Sequence, residues 1–199
     1  MTKTPHEKWL SDGHFWSGTK FLVEKHLSNC KIIPHRFNIL DLLPKNSICG
    51  EIGVWKGDFS QEILTRCSPF QLYLIESDIN QVDFLSERFD EQTNVQIKHG
   101  MSWDILKDFQ DNYFDWLYID ADHSYESTLK ELKLSHDKIK QGGLILLHDY
   151  IWVSYVSGDY KPYGVIKAVN EFCLDYNYEF VYKSMEPNMY HTVCIKEIN

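Results

Sequence analysis

Two apolar stretches of the sequence, Phe114–Ile119 and Leu144–Leu147, each end in side chains that can bind cations or move protons. These side chains are Asp120, Asp122 and His123 after the first stretch, and His148 and Asp149 after the second. If the stretches are neighbouring strands, carboxylates and imidazoles meet at one mouth. The outermost pair, Asp122 and His123, are then candidates for removing a proton, and an imidazole with a pKa near about 6.5 is the better base at neutral pH. The alternative is structural, with Asp120 capping the next helix and His148 only packing.

A second group of residues has the types expected around a nucleoside. The segment Glu51–Ser60 contains two glycines four residues apart, Gly53 and Gly57, and Glu76 ends the next apolar run. Glycines between a strand and a helix let the backbone approach a ligand closely, and a carboxylate at the next strand end can accept both hydroxyls of a ribose. The spacing is neither the GxGxxG of dinucleotide sites nor a P-loop. The segment therefore predicts a ligand site, with a surface acid as the alternative for Glu76.

The elements that position these residues alternate between strand and helix five times after residue 47. We expect strands at 47–52, 71–75, 95–98, 114–119, 144–147, 178–182 and 191–195, and helices at 57–66, 79–89, 102–109, 124–139 and 164–174. The strands are short and apolar on both faces, which is typical of a parallel sheet covered by helices on both sides. The sequence thus predicts a doubly wound α/β fold, in which ligands bind at the carboxyl ends of the strands.

The first residues fall outside this alternation. Residues 1–34 lack a clear period and are expected to form a cap, whereas residues 35–199 form the α/β domain, beginning with a short helix at 35–43. The stretch Trp9 to Phe21 is rich in large apolar rings. We expect it to fold over the active site as a lid that excludes water.

Composition limits the function classes. A chain of 199 residues with 20 basic and 29 acidic side chains carries a net charge of −9, which disfavours a nucleic-acid surface. Five cysteines without a CxxC pair are typical of free thiols in a reducing compartment. The longest aliphatic run, Leu144–Leu147, is far too short to span a bilayer, and no secretory segment follows Met1. We therefore expect a cytoplasmic protein with no membrane and no nucleic-acid partner.

The motif E-I-G-V-W-K-G-D-F-S followed by L-Y-L-I-E resembles the first two motifs of class I S-adenosylmethionine-dependent methyltransferases. The later stretches F-D-W-L-Y-I-D-A-D-H-S-Y-E-S-T, G-G-L-I-L-L-H-D-Y and Y-G-V-I-K-A-V-N-E-F resemble the branch with bacterial macrolide and aminocoumarin sugar O-methyltransferases. The resemblance covers residues 35–182. It implies a Rossmann-like methyltransferase fold with a mostly parallel seven-stranded sheet, helices on both faces and one antiparallel strand.

The resemblance also implies roles for individual residues around the methyl donor. The implied donor-binding residues are Glu51, Gly53, Gly57, Glu76, Met101, Ser102 and Asp120. The first three would line the methionine part of the donor, and Glu76 would hold the ribose. Met101, through its backbone N–H, and Ser102 stand where family members contact adenine.

A divalent metal is the second cofactor that the resemblance implies. Sugar-methylating relatives bind one with the first acid of a D-x-D pattern and with two acids after the fifth strand. Asp120 and Asp149 match ligand positions, Asp122 matches the base, and His148 replaces one acid. An imidazole suits a transition ion better than magnesium. We therefore predict metal ligation by Asp120, His148 and Asp149, and proton removal by Asp122 or His123.

Together these features predict methyl transfer from S-adenosylmethionine to a small-molecule acceptor, with a hydroxyl oxygen of a sugar or natural product as the expected target. One alternative is a catalytically degenerate module that only binds the donor. Another is a nicotinamide-dependent oxidoreductase, against which the missing GxGxxG argues. Assembly into a homo-oligomer stays open.

Overall fold

The computed structural model describes residues 18–156 and 159–198. The strands in these ranges are β1 (Lys31–Ile33), β2 (Ile48–Ile52), β3 (Gln71–Glu76), β4 (Val95–His99), β5 (Phe114–Ile119), β6 (Ile139–Leu147), β7 (Val153–Val156), β8 (Asp159–Pro162), β9 (Tyr178–Ser184) and β10 (Val193–Glu197). The α-helices are α1 (Arg36–Leu40), α2 (Asp58–Cys67), α3 (Ile79–Arg88), α4 (Ser102–Ile105), α5 (Tyr125–Lys138) and α6 (Val165–Tyr176). Short 3-10 turns lie at Glu24–His26 and Leu106–Asp108.

Eight of the strands form one sheet in the order β1-β9-β10-β6-β5-β2-β3-β4. The five strands β4, β3, β2, β5 and β6 are parallel, and β10 runs antiparallel between β6 and β9. The chain builds outward from β2 through β3 to β4 and then returns to place β5 on the other side of β2. This reversal is the switch point of a doubly wound sheet, where the strand ends leave a crevice for ligands.

Two buried layers hold the helices against the faces of the sheet. Leu132 of α5 and Phe172 of α6 are fully buried in one layer, and Leu40 of α1, Ile63 of α2 and Leu85 of α3 are fully buried in the other. Successive side chains from residue 116 to residue 119 of β5 join the two layers in turn, as the pleat of a strand requires. The predicted doubly wound fold with helices on both faces is therefore confirmed.

Within the described ranges the sheet has eight strands rather than the seven predicted. The additional strand, β1, pairs parallel with the outer edge of β9, so that Ile32 lies opposite Lys183. It comes from the segment that the sequence assigned to the cap. A strand of three residues is too short to show an alternation of apolar and polar side chains. It forms because the edge of β9 offers free backbone groups for pairing, and its own sequence does not predict it. The antiparallel hairpin β7–β8 was also not predicted.

The described part of residues 1–34 lies along β9 and α6. His26 is buried, with Nδ1 2.5 Å from the carbonyl oxygen of Tyr178, and Asn170 Nδ2 donates to the carbonyl oxygen of Lys20 at 2.9 Å. Phe21 is 84% exposed. The other rings of the predicted lid, from Trp9 to Trp16, lie outside the described residues, so the lid stays a prediction.

None of the helices in the described ranges has both the length and the hydropathy needed to cross a membrane.

Candidate functional site

A cavity of about 380 Å³ opens at the carboxyl ends of the parallel strands. It is lined by Ile52, Gly53, Trp55, Ile75, Glu76, Ser77, Gly100, Met101, Ser102, Trp103, Asp120, Ala121, Asp122 and Glu131. The strands β2, β3, β4 and β5 each contribute the residues that follow their last position. The predicted site residues in this lining are Gly53, Glu76, Met101, Ser102, Asp120 and Asp122. We call this the donor cavity, after the methyl-donor role that the sequence predicts for these residues.

Glu76 is the most heavily hydrogen-bonded side chain of the donor cavity. Its Oε2 accepts from the backbone N–H groups of Val54 and Trp55 at 3.0 and 2.9 Å, and its Oε1 accepts from Ser77 and Asp78 at 2.8 and 2.9 Å. A carboxylate has about four lone-pair sites, and here backbone N–H groups occupy four. Glu76 therefore fixes the turns after β2 and β3, which form two walls of the cavity.

The two glycines of the first motif are each required by the structure, but for different reasons. Gly53 has φ +79°, and a Cβ there would lie 2.2 Å from the backbone oxygen of Asp120. Gly57 has φ +76°, but a Cβ there would lie 2.7 Å from Phe89 and 2.8 Å from Leu85. Gly53 thus lets the turn after β2 pass close to β5 beside the cavity. Gly57 lies outside the cavity lining and allows α2 to pack against α3.

Glu51 lies behind the donor cavity and is 2% exposed. Ser60 Oγ donates a hydrogen bond of 2.5 Å to Glu51 Oε2. Burial raises the pKa of Glu51 to about 8, and the hydrogen bond from Ser60 only partly offsets this effect. An arriving ammonium group would favour the ionised form and lower this pKa again.

Sequence reasoning missed a second buried acid, Glu131. It is 1% exposed, and Ser102 Oγ donates to its Oε1 at 2.5 Å. Burial raises the pKa of Glu131 to about 7, against the effect of the Ser102 hydrogen bond. The buried residues of α5 are Thr128, Glu131, Leu132 and Ser135. Their spacing of i, i+3, i+4 and i+7 could have revealed this face, but three of the four are polar and do not read as a core stripe.

Beside the donor cavity, four side chains from the ends of β5 and β6 form what we call the His–Asp cluster. Its members are Asp120, His123, His148 and Asp149. His123 Nε2 lies 3.5 Å from Asp120 Oδ1 and 3.0 Å from Asp149 Oδ2. His148 Nδ1 lies 3.3 Å from Asp120 Oδ2 and 2.9 Å from Asp149 Oδ1. The predicted convergence of these two strand ends is present, because β5 and β6 are neighbours in the sheet.

Arg36, at the start of α1, completes this cluster and was not predicted. Its Nη1 lies 2.7 Å from His148 Nε2, 3.4 Å from the Tyr118 hydroxyl and 3.9 Å from Asp120 Oδ2. A guanidinium has no acceptor, so the contact with His148 requires the proton of that imidazole to be on Nδ1. Residue 36 is 112 positions from residue 148 in the sequence, and no local pattern connects them.

The charges of the cluster can be assigned from these contacts. Burial opposes the ionisation of Asp120, but the close contacts with His123 and His148 outweigh it and hold the Asp120 pKa below its usual range. Burial alone would lower the pKa of His123, yet Asp120 and Asp149 raise it to about 9. The same carboxylates raise the pKa of His148 to about 9 against burial, but the Arg36 contact is direct and keeps that ring neutral. The negative charges of Asp120 and Asp149 are then balanced by the positive charges of Arg36 and a protonated His123.

Asp122 hydrogen-bonds to the start of α5 rather than to the members of the cluster. Its Oδ2 accepts from Ser124 Oγ at 2.8 Å and its Oδ1 from the Ser124 backbone N–H at 3.3 Å. Burial opposes ionisation, but hydrogen bonds from Ser127 and Ser124 lower the pKa of Asp122 below its usual value. This makes Asp122 a weaker base than an ordinary aspartate.

The cluster offers a donor set that fits a divalent transition ion. Asp120, His123 and Asp149 each present a ligand atom, and these atoms lie within 4.8 Å of one another. In the described part of the chain, His148 Nδ1 and Asp149 Oδ1 are buried without a hydrogen-bond partner, although they are close to each other. Two carboxylates and one imidazole are suitable ligands for such an ion. The structure groups His123 with the two acids, whereas the sequence had predicted His148, whose Nε2 faces Arg36.

Comparison with known proteins gives one family match. A family model described as a methyltransferase domain matches residues 51–150, which is half of the chain. This range begins at Glu51 and includes every residue that lines the donor cavity and all four members of the His–Asp cluster. No curated protein sequence matches this chain.

Solved structures share the fold at low sequence identity. An O-methyltransferase from Bacillus cereus in complex with SAH superposes with a TM-score of 0.62 at 14% identity, covering 84% of this chain and 83% of that one. A SAM-dependent methyltransferase from Aquifex aeolicus gives 0.60 at 16% identity, over 79% and 87% of the two chains. A tRNA methyltransferase from Bacillus subtilis gives 0.62 at 12% identity, over 84% and 67%. Two other matched structures are covered over only 42% and 49% of their own lengths.

Proposed function

The chain belongs to the methyltransferase-domain family, and on this premise we propose that it transfers a methyl group from S-adenosylmethionine to a small-molecule hydroxyl. The resemblance of its motifs to methyltransferases is confirmed at the level of the family. The sugar-methylating branch, the hydroxyl acceptor and the individual residue roles are our proposals.

The donor cavity is the observation that carries the proposal. Its volume of about 380 Å³ lies within the range of about 300–1,000 Å³ that is typical of small-ligand pockets. Acidic groups lie at three of its strand ends, with Glu51 behind the turn after β2, Glu76 after β3 and Asp120 after β5. The donor is a cation at both its sulfonium and its ammonium group. A buried acid that ionises when an ammonium arrives, as we assign to Glu51, favours such a ligand.

For Glu76, we propose a role at the ribose that combines a direct and an indirect effect. Its carboxylate already holds four backbone N–H groups. A ribose hydroxyl would have to share an oxygen with one of them. We therefore expect Glu76 to act as much by shaping the turns around the ribose as by accepting from it.

In the reaction, the S–CH₃ bond of the donor breaks as an O–CH₃ bond forms, and the proton of the acceptor hydroxyl must leave. We propose His123 as the group that takes this proton on Nδ1, while its Nε2–H faces the two carboxylates. Asp120 and Asp149 orient its ring, and Arg36 balances part of their charge. A pKa of about 9 makes His123 a strong base that must first lose its own proton. Alignment of donor and acceptor supplies much of the remaining rate enhancement.

If a divalent cation binds, Asp120, His123 and Asp149 would hold it, and it would lower the pKa of the acceptor hydroxyl. His123 would then no longer be free to take the proton, and Asp122 is the remaining candidate base. The two arrangements differ in their response to chelation, which is tested below.

A small acceptor is favoured over a nucleic acid by charge. The net charge of −9 and the acids around both halves of the site would repel a phosphate backbone. The matched solved structures include a tRNA methyltransferase, so transfer RNA belongs in the test as the competing acceptor.

The experiment is calorimetry followed by a turnover assay. Titration of the protein with S-adenosylmethionine, S-adenosylhomocysteine and NAD should show binding of the first two only. S-Adenosylhomocysteine release is then measured with hydroxylated sugar-bearing compounds and with transfer RNA, before and after treatment with a chelator. Turnover with RNA alone would overturn the small-molecule proposal. Donor binding without any turnover would favour the degenerate module, and a rate unchanged by chelation would exclude the metal.

A further inference from the structure

Tyr163, directly after β8, stacks on His123, a contact that the proposed chemistry does not use. The centroids of the two rings are 4.4 Å apart, and their planes differ by 11°. Both side chains are half-buried. The ring of Tyr163 therefore covers one face of the histidine to which we assign the acceptor proton.

The backbone beside Tyr163 holds the same histidine. The Gly164 N–H donates to the carbonyl oxygen of His123 at 2.7 Å. A Cβ at residue 164 would lie 2.1 Å from the backbone nitrogen of Tyr125, so only a glycine allows the two segments to approach this closely. The pair Tyr163 and Gly164 thus holds both the ring and the backbone of His123.

Tyr163 is itself anchored on the hairpin β7–β8. Its backbone N–H donates to the carbonyl oxygen of Trp152 at 2.9 Å, just before β7. Burial raises the pKa of Tyr163, and a hydrogen bond with Ser154 of β7 opposes this effect. Ser154 is 2% exposed, and its Oγ lies 2.6 Å from the Tyr190 hydroxyl. The ring that covers His123 is therefore held at both its backbone and its hydroxyl end.

The stack and the carboxylates restrict the His123 ring in different ways. The χ2 torsion of a histidine is broad, so its own rotamer preference fixes the ring plane poorly. The parallel ring of Tyr163 blocks tilting of this plane, because a tilted imidazole would push an edge into the Tyr163 face. A half-turn keeps the plane, and the contacts of Nε2 with Asp120 and Asp149 select between the two orientations that remain. Plane and edge together direct Nδ1.

We propose that Tyr163 is a positioning residue for His123, whose ring plane it fixes so that Nδ1 keeps the direction needed to take the acceptor proton. This inference rests on the proposed function, because it names the partner of the same base. The effect comes from the face of the Tyr163 ring, so a phenylalanine should replace it. A misplacement of about 1 Å at a reacting group can cost on the order of 10²-fold in rate, which sets the scale of the expected effect.

The variants separate the ring from its hydroxyl and from simple loss of packing. Tyr163→Leu removes the ring, Tyr163→Phe keeps it, and Tyr163→Met is a second variant without a ring in case Tyr163→Leu does not fold. The matched control is Tyr176→Leu, because Tyr176 is also half-buried and stacks on Phe172 with centroids 4.7 Å apart and planes 18° apart. Near-ultraviolet circular dichroism and thermal unfolding check that each variant is folded.

The first measurement needs no acceptor. Proton NMR detects the carbon-bound ring hydrogens of His123, which are identified by their loss in His123→Gln. In the wild type, Tyr163→Phe and Tyr176→Leu, these signals should be shifted upfield, because they lie against the face of an aromatic ring. In Tyr163→Leu and Tyr163→Met the shift should be lost. Unchanged His123 signals in these two variants would overturn the inference.

The second measurement is a double-mutant cycle in turnover. Tyr163→Leu should lower kcat by roughly ten- to a hundredfold and leave KM for the donor unchanged, since Tyr163 is not among the residues that line the donor cavity. Tyr163→Phe and Tyr176→Leu should keep the wild-type kcat. In a His123→Gln background, Tyr163→Leu should have no further effect, because a positioning residue then has nothing left to position.

Two outcomes of the cycle would overturn the inference. One is an equal loss of turnover from Tyr163→Leu with and without His123, and the other is an equal loss in Tyr163→Phe and Tyr163→Leu. Absence of turnover with every acceptor would instead overturn the proposed function. The NMR comparison would then still decide whether Tyr163 orients His123.

Discussion

The donor cavity and the His–Asp cluster lie at the same edge of the sheet but are held in different ways. In the donor cavity, Glu76 accepts four backbone N–H groups at 2.8–3.0 Å. In the cluster, the side chains of the two aspartates and the two histidines hold one another, with contacts of 2.9–3.5 Å. The first region is fixed by the backbone, and the second by a balance of charges.

This difference indicates which region can change state. The four donors around Glu76 are backbone N–H groups, which are fixed in position by the turns after β2 and β3. The cluster stays neutral only while His123 carries a proton, and loss of that proton or arrival of a cation must rearrange its contacts. A region that moves protons needs that freedom, whereas a region that binds one ligand gains from rigidity. The two regions should therefore be separable by mutation.

The largest expected effect comes from removing the proposed base. His123→Gln should lower turnover by about 10²- to 10⁴-fold, which is the usual contribution of a general base, and should leave S-adenosylhomocysteine affinity within about threefold of the wild type, since His123 is not part of the cavity lining. Steady-state kinetics and calorimetry measure the two quantities. A matching loss of donor affinity would show that the regions are not separable.

The next effect tests the rigid region. Gly53→Ala should destabilise the protein by about 3 kcal/mol or more, because it adds a strained positive φ and overpacking against backbone, with the new Cβ 2.2 Å from the Asp120 oxygen. Gly142→Ala is the matched control, since Gly142 has φ +76° but nothing within 4 Å of an added Cβ. It should cost only about 1 kcal/mol. Urea unfolding measures both, and similar losses would contradict the close-approach explanation.

A smaller effect is expected for the carboxylate that organises the cavity. Glu76→Gln replaces one acceptor oxygen by an NH₂ that faces two backbone donors, so donor affinity should fall by roughly ten- to a hundredfold. Turnover at saturating donor should change much less. The exposed Glu87→Gln serves as the control for loss of one negative charge. Unchanged donor affinity in Glu76→Gln would rule out the role of Glu76 in the donor site.

The smallest effect is a pH dependence of stability from Glu51. Its pKa is about 8 in the folded protein and about 4.5 when unfolded, so between these values the folded state binds the extra proton. Stability from this group is present below pH 4.5 and is lost as the pH rises toward 8. Raising the pH from about 6 to 7 should cost about 1 kcal/mol of unfolding free energy, and Glu51→Gln should remove this slope. Urea unfolding at the two pH values measures this change in unfolding free energy. If the pH dependence persists in Glu51→Gln, it comes from another group.

The sequence alone determined the features that depend on near neighbours in the chain. Runs of four to six residues, followed by helical stripes, predicted the strands β2 to β6 and the helices between them, because burial on both faces leaves a local pattern. The same runs end in Gly53, Glu76, Asp120 and Asp149, so the edge of the sheet that carries the site was also predictable. The positive φ that Gly53 adopts is likewise a local property.

Only the tertiary structure decided which of these residues meet. Arg36 reaches His148 because α1 packs at the mouth of β5 and β6, and Glu131 turns into the cavity because α5 presents a polar stripe to β4's end. The short strand β1 exists because β9 leaves an open edge. Each of these contacts joins residues 29 to 151 positions apart, as in the pairing of Lys31 with Tyr182. Their formation depends on strand order and helix packing, which short-range periodicity does not encode. The partners that set the charges of the candidate site therefore appear only in the folded chain.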